Sequence, residues 1–247
     1  MTLNSWHRTL CMALLMAALG LIQGCSTIRG RSAGDRLDPW ENWNRKVFGF
    51  NEALDTKVVK PVATVYSNLV PQPVRRGIDN FFGNAADAWS AVNNLLQGKF
   101  TESMEDLTRF GTNTLFGLGG FLDVATEFGL DHHNEDFGQT LGHWGVGPGA
   151  YIVWPVLGPS SVRESLAMPL DLSVSPALAI NDGAVQWELT GLRLINARAG
   201  FLGASKVLDD IALDKYTFVR DAYLQRRRSL VLDGEEPPAD EAKPAKE

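Results

Sequence analysis

Residues Leu115 to Leu130 read LFGLGGFLDVATEFGL, and few folds accommodate such a run. It is largely apolar, is broken by four glycines, and carries only Asp123 and Glu127 as charges. It is too short and too glycine-broken to cross a bilayer, which takes about 20 apolar residues in one helix. It is also too apolar for an exposed loop. Two readings remain. One is a buried pair of helices joined by a tight turn at Gly117-Leu118-Gly119-Gly120. The other is a hairpin that inserts in, or lies against, lipid through Leu115, Phe116, Leu118, Phe121 and Leu122. Irregular backbone at membrane depth survives only when protein shields it or a wet cavity adjoins it. The second reading therefore predicts a pore or pocket beside the turn.

The N-terminus points to a membrane independently. Arg8 precedes an uncharged, nearly all-apolar run from Leu10 to Ile22, the pattern of a secretory signal. Leu21-Ile22-Gln23-Gly24-Cys25 then resembles a lipobox, with Gln23 bulkier than the small residue usual there. A signal cut before Cys25 leaves that residue to carry acyl chains on its sulfur and amine. An ordinary signal peptide or a short anchor helix is the plainer alternative. Two lipid signals already give stable attachment, and bacterial lipoproteins carry three chains. Cys11 leaves with the signal and Cys25 is consumed, so the mature chain has no disulfide and no cysteine-based metal site. Ser26 follows the cysteine, as in lipoproteins released to the outer membrane.

The organisation expected is a signal over 1–24, a lipidated flexible tether over 25–36, a folded body over 37–230 and a disordered acidic tail over 231–247. A net charge of −6 argues against nucleic acid as a partner. Arg226 to Arg228 reads as a solvated helix end, with a headgroup or partner contact as the alternative.

Periodicity within the body is mostly helical. Asp38-Pro39-Trp40-Glu41 is a helix start, and Trp40, Trp43, Val47, Phe50, Leu54 and Val58 share one face until Pro61 interrupts it. Ala85, Ala88, Trp89, Val92, Leu95 and Leu96 form a second stripe closed by Gly98. Thr101 can cap a third helix carrying Met104, Leu107 and Phe110. A fourth helix starts near Gly183, with Val185, Leu189, Leu192 and Ile195 inward, and a fifth spans about Asp209 to Arg228. Asp209 and Asp210 then read as helix N-terminal residues. The one clear strand signal is Tyr151 to Trp154. The fold class is mainly α.

Catalytic signatures are missing: there is no G-x-S-x-G, H-E-x-x-H or G-x-G-x-x-G opening a helix. His132-His133-Asn134-Glu135-Asp136 gathers metal-ligating types, but its spacing fits no standard site and loop polarity explains it equally well. The expectation is no metal, no cofactor and no catalytic residue.

In order along the chain stand Asp38-Pro39-Trp40-Glu41 with Trp43-Asn44-Arg45, Phe50-Asn51, Leu54-Asp55 and Pro61-Val62-Ala63. Val70 to Arg75, Asn80 to Asn84, Leu96-Gln97-Gly98, Arg109-Phe110 and Asn113-Thr114 follow. Then come Gly117 to Ala125, Phe137 to His143, Gly145-Val146-Gly147, Pro155, Gly158, Arg163 and Arg220-Asp221-Ala222-Tyr223 with Gln225-Arg226. This series resembles the MlaA/VacJ family of outer-membrane lipoproteins over nearly the whole body. Arg163-Glu164-Ser165-Leu166 departs from the family's Arg-Asp followed by glycine, and Trp43 replaces a usual Phe.

The resemblance implies a ring of amphipathic helices around a central channel, embedded in the outer membrane. It implies phospholipids as cargo, a trimeric porin as partner, and a periplasmic lipid-binding shuttle linked to an inner-membrane ABC transporter. Mislocalised phospholipid would leave the outer leaflet by this route. In that frame Arg163, Glu164 and Asp171 are candidates for the channel wall and headgroup. Gly145, Val146 and Gly147 are candidates for a hinge or gate, against the simpler reading of a rigid turn. The rival functions are a structural envelope lipoprotein and a lipid-modifying hydrolase using Ser160, Ser161 or His143.

Overall fold

The computed structural model describes residues 37–175 and 182–235. Cys25, the signal, the tether and the tail beyond residue 235 lie outside the described residues. Trp40 onward forms one compact unit, and it is mainly helical.

Helix α1 (Glu41–Leu54) starts later than the Asp38 signal, with Trp40 at the cap position and no side-chain cap bond. It runs through a π-helical segment (Asp55–Val59) into α2 (Lys60–Leu69). Pro61 therefore does not interrupt the helix. A proline lacks an N–H and crowds the carbonyl four residues back, and the wider π turn just before it absorbs that crowding. The π segment also presents Asp55, whose carboxylate takes a bidentate pair from Arg198 at 2.7 and 2.8 Å.

Val70 is extended before Pro71, ending α2. Helix α3 (Gln72–Leu96) and α4 (Phe100–Phe116) pack along each other as an antiparallel pair. Gly98, at φ +80°, turns the chain between them while Lys99 N–H bonds the Asn94 carbonyl at 2.9 Å. Thr101 lies inside α4 rather than capping it.

This pair carries its apolar stripe outward. Val92, Leu95, Leu96, Met104 and Leu107 are exposed, whereas Asn84, Asp87, Ser90, Asn93 and Asn94 of α3 and Asp106, Arg109 and Asn113 of α4 are buried. Periodicity marks a helix face but not which medium that face meets.

After a short α5 (Val124–Glu127) and α6 (Phe137–His143), the expected strand appears as β1 (Tyr151–Trp154). It pairs antiparallel with β2 (Gly158–Ser161), Tyr151 opposite Ser161. Here the packing is conventional: Val47, Tyr151, Val153 and Tyr216 form a buried apolar cluster, with Phe48 and Tyr216 edge to face at 5.6 Å. Two asparagines on α1 complete the free edge of β1. Asn44 bonds the Tyr151 carbonyl and the Val153 N–H at 3.1 and 2.9 Å. Asn51 does the same for the Trp154 carbonyl and the Val156 N–H at 2.9 and 2.8 Å. Their seven-residue spacing is two helical turns, which matches the rise of the strand and pairs that edge of β1.

Helix α7 (Val162–Ser173) follows, then α8 (Gly183–Gly200), α9 (Leu202–Ile211) and α10 (Lys215–Val231). On α8, Val185, Leu189, Leu192 and Ile195 are half-buried, and the fully buried residues are Asn196 and Ala199. The fifth expected helix starts at Lys215 under an Asp214 cap, so Asp209 sits near the C-terminal end of α9 instead. There Lys215 at 2.6 Å offsets its unfavourable position against the helix dipole. Of the stretch expected as a tail, residues 231–235 are described: α10 continues to Val231, and Asp233 pairs with Lys99 at 2.5 Å.

Candidate functional site

The proposed hairpin is held from beneath by polar bonds. Leu118, Gly119 and Gly120 all take positive φ, and the Gly120 N–H returns to the Asn113 carbonyl at 2.9 Å. A Cβ on Gly120 would lie 2.6 Å from the Asn84 side chain, so the turn approaches α3 only as glycine. Arg109 pins the rest of the segment, donating to the Leu130 carbonyl at 2.6 Å and to Asp123 at 3.1 Å. Asn113 donates to Asp123 and accepts from the Ala125 N–H.

Above this base, Leu115, Phe116 and Leu118 are 78%, 71% and 76% exposed, and Leu122 and Phe128 are also exposed. Phe121 departs from the expectation of a lipid-facing side chain. Its ring lies over Gly77, where a Cβ would come within 2.2 Å, and Asn80 bonds its carbonyl at 3.2 Å. It anchors the turn to α3. A cavity of about 110 Å³ adjoins the turn, lined by Asn80, Asn84, Asp87, Arg109, Asn113 and His132 among others.

Two of the wall candidates, Arg163 and Glu164, join a four-residue ionic chain. Arg163 donates to Glu164 at 2.6 and 3.0 Å, Glu164 accepts from Arg227, and Arg227 grips Asp136 at 2.6 and 2.9 Å. Burial pushes the Asp136 carboxyl up, but the Arg227 guanidinium outweighs it and holds the group below its ordinary value. Arg227 thus overturns the reading of Arg226 to Arg228 as a solvated end. Its charge is spent inside, across three elements.

Gly138 and Gly142 of α6 make this approach possible. A Cβ on Gly138 would meet Glu164 at 1.9 Å, and one on Gly142 would meet Arg163 at 2.6 Å. Asp171 lies apart from that chain. It accepts from Trp89 Nε1 at 2.8 Å and from the Phe137 N–H at 2.9 Å, and burial raises its carboxyl above the ordinary value. Arg163 and Glu164 come together; Asp171 ties α7 to α3 and α6.

The hinge candidates meet Arg163 at one atom. Arg163 Nη1 donates to the Val146 carbonyl at 3.1 Å, while the Val146 N–H bonds the Leu141 carbonyl at 2.9 Å. Gly145 has φ +89°, which favours glycine; Gly147 does not, and a Cβ there meets open space.

The hydrolase constellation does not assemble. Ser161 caps α7 by accepting from the Glu164 N–H, and Ser165 donates to the Ser161 carbonyl at 2.7 Å. Ser160 and Ser165 share a bond at 3.1 Å. Among the described residues, none of these hydroxyls is bonded to an imidazole.

His132 and His133 separate from Glu135 and Asp136. They meet Asp87 and Asp106 instead, His132 Nδ1 lying 2.6 Å from Asp87 Oδ1 and His133 Nδ1 3.3 Å from Asp106 Oδ1. Those carboxylates sit one on each helix of the polar pair, 45 and 27 residues upstream of their respective histidines, which no local spacing rule could link. The signal available was the polar row itself, Asn84, Asp87, Ser90 and Asn94, recurring with helical period.

Residues 36–230 match the family model described as MlaA lipoprotein. The chain belongs to the MlaA lipoprotein family. It is 36% identical over 234 residues to the intermembrane phospholipid transport system lipoprotein MlaA of Escherichia coli (strain K12), covering 91% of each chain. It is 32% identical over 235 residues to the protein of that name from Haemophilus influenzae, covering 92% of each. A solved chain from work on the structural basis for maintenance of bacterial outer membrane lipid asymmetry superposes with a TM-score of 0.70 at 35% identity. That match covers 81% of this chain and 100% of the other. Among the described residues, no helix is long and apolar enough to cross a membrane.

Proposed function

We propose that this MlaA-family chain removes mislocalised phospholipid from the outer leaflet of the outer membrane and passes it to a periplasmic lipid-binding shuttle. The observation that carries this is the inverted α3–α4 pair, polar within and apolar without. A phospholipid has two apolar tails and a charged headgroup. Tails need an apolar surround, which the exposed faces of α1, α2, α4 and the hairpin supply. A headgroup at membrane depth is costly unless polar groups receive it.

Contiguous exposed apolar surface on this scale marks a contact with lipid or protein rather than water. Helices that, among the described residues, are not long and apolar enough to cross a bilayer suit a body set within one leaflet, its polar faces turned to a central channel. Arg163 and Glu164 lie on the channel wall, and the segment Gly145 to Gly147 gates it through the Val146 carbonyl. Lipid on Cys25 holds the chain to the outer membrane on its periplasmic side. A trimeric porin covers part of the apolar perimeter, and the shuttle connects to an inner-membrane ABC transporter. No bond is broken in such a transfer, so no catalytic residue is required.

Deleting the gene should raise surface-exposed phospholipid and sensitivity to detergent with chelator. An unchanged outer-leaflet phospholipid content in the deletion strain would sink the reading and leave a structural envelope lipoprotein.

A further inference from the structure

We propose that Asp87, Asp106 and His132 bind one first-row divalent cation, with zinc the best match, between the polar helix pair and the segment that follows the hairpin. The three ligand atoms all lie within 4.8 Å of one another. Asp87 comes from α3, Asp106 from α4, and His132 from the stretch between α5 and α6. A cation there would tie all three elements at one point.

Two buried acceptors point to an electrophile. The Asp87 side chain is 2% exposed, yet its Oδ1 accepts no hydrogen bond. His132 Nδ1 lies 2.6 Å away, but off the line a hydrogen bond needs. Asn84, lining the same cavity, donates its amide N–H to Thr114 at 2.9 Å, and its Oδ1 is buried without a donor. A buried acceptor left unmade costs about 1–3 kcal/mol.

Charge points the same way. Asp87, Asp106 and Asp123 set three carboxylates around the guanidinium of Arg109 and the imidazoles of His132 and His133, and a bound cation would add to their compensation. Arg109 approaches the other oxygen of Asp87, Oδ2, at 3.5 Å, and directs its two terminal nitrogens to Leu130, Thr126 and Asp123. The Oδ1 side is left to His132 and Asp106. Asp106 accepts from Asn94 on Oδ2 and from the His133 N–H on Oδ1, which also lies 3.3 Å from His133 Nδ1, and a carboxylate has further lone pairs to offer.

One imidazole and two carboxylates suit zinc and its first-row neighbours, whereas calcium and magnesium favour all-oxygen sets. Adjacent ligands on a tetrahedral zinc are about 3.3 Å apart, given bonds of about 2.0–2.1 Å. His132 reaches that spacing by a small swing, since its side chain is 38% exposed. Three protein ligands leave a fourth position open toward the cavity.

The test uses the full lipidated chain, purified in detergent on a tag without histidine, stripped with chelator and exposed to zinc chloride. Gel filtration followed by elemental analysis should find about one zinc per chain, with a raised melting temperature. Asp87→Asn should lose the zinc. His132→Gln, at a more exposed position, should bind at least tenfold more weakly while keeping the wild-type circular dichroism spectrum, so it serves if Asp87→Asn does not fold. Wild-type protein that retains no zinc would overturn the site, as would His132→Gln binding equal to wild type. Either failure leaves the lipid-transport reading standing, because the deletion phenotype does not depend on it.

Discussion

The region around the β1–β2 hairpin and the α3–α4 pair follow opposite packing rules within one unit. Around the hairpin, Tyr151, Val153, Val47 and Tyr216 are inside and edge-to-face rings fill the space. Between α3 and α4 the interior holds Asp87, Asn93, Asn94, Asp106, Arg109 and Asn113, and the leucines and valines face out. The first arrangement uses the hydrophobic effect as water-exposed proteins do. The second buries polar groups and leaves its apolar side chains outside, which suits a medium as apolar as its own surface. The two regions thus bury opposite kinds of side chain within one unit.

Cutting the polar network should have the largest effect. Arg109→Met leaves Asp87 and Asp123 buried or half-buried without their guanidinium and should cost about 3–5 kcal/mol in detergent-solubilised unfolding. A loss under about 1 kcal/mol would mean that the network is not what holds the pair. Tyr151→Ala, the matching cut in the conventional core, should cost about 3–4 kcal/mol through the cavity it leaves. If it proved neutral, the two regions would not differ as described.

Acid should act on the ionic chain next. Asp136 is held below its ordinary value, so its contribution is complete above the unfolded carboxyl value of about 4 and is lost as pH falls through the folded one. The acid limb of a stability–pH curve should therefore flatten in Asp136→Asn, and an unchanged limb would remove Arg227–Asp136 from the account.

Glycine substitutions separate turn from hinge. Gly145→Ala should cost about 1 kcal/mol because of its positive φ, and Gly147→Ala under about 0.5. If Gly147→Ala still alters the leaflet distribution of phospholipid while stability is unchanged, the hinge stands; wild-type distribution in both variants removes it. The smallest stability effect belongs to the outer face. Leu115→Ser and Phe116→Ser should move unfolding in detergent by less than about 0.5 kcal/mol yet weaken binding to phospholipid vesicles.

Much of the fold was legible because local chemistry decided it. Gly98 ends α3, Tyr151 to Trp154 is a strand, and the helical stripes lie on real helices. Pro61 misled because a π turn is a tertiary accommodation with no local signature. Asp209 and Asp210 looked like a helix start because the true cap, Asp214, follows within one turn and a half. The site was less legible. Arg227 reads as one of three arginines at a helix end, and only the approach of α6, permitted by Gly138 and Gly142, gives it Asp136 and Glu164. Phe121 shares its composition with its exposed neighbours, and only Gly77, more than forty residues away, distinguishes it.

The outward apolar face is tested most directly by removing the lipid anchor. A chain lacking residues 1–25 should still sediment with phospholipid vesicles and should require detergent to stay dispersed, as the proposed contact of the body with lipid requires. A freely soluble monomer that remains in the supernatant would confine the membrane contact to Cys25 and contradict the account.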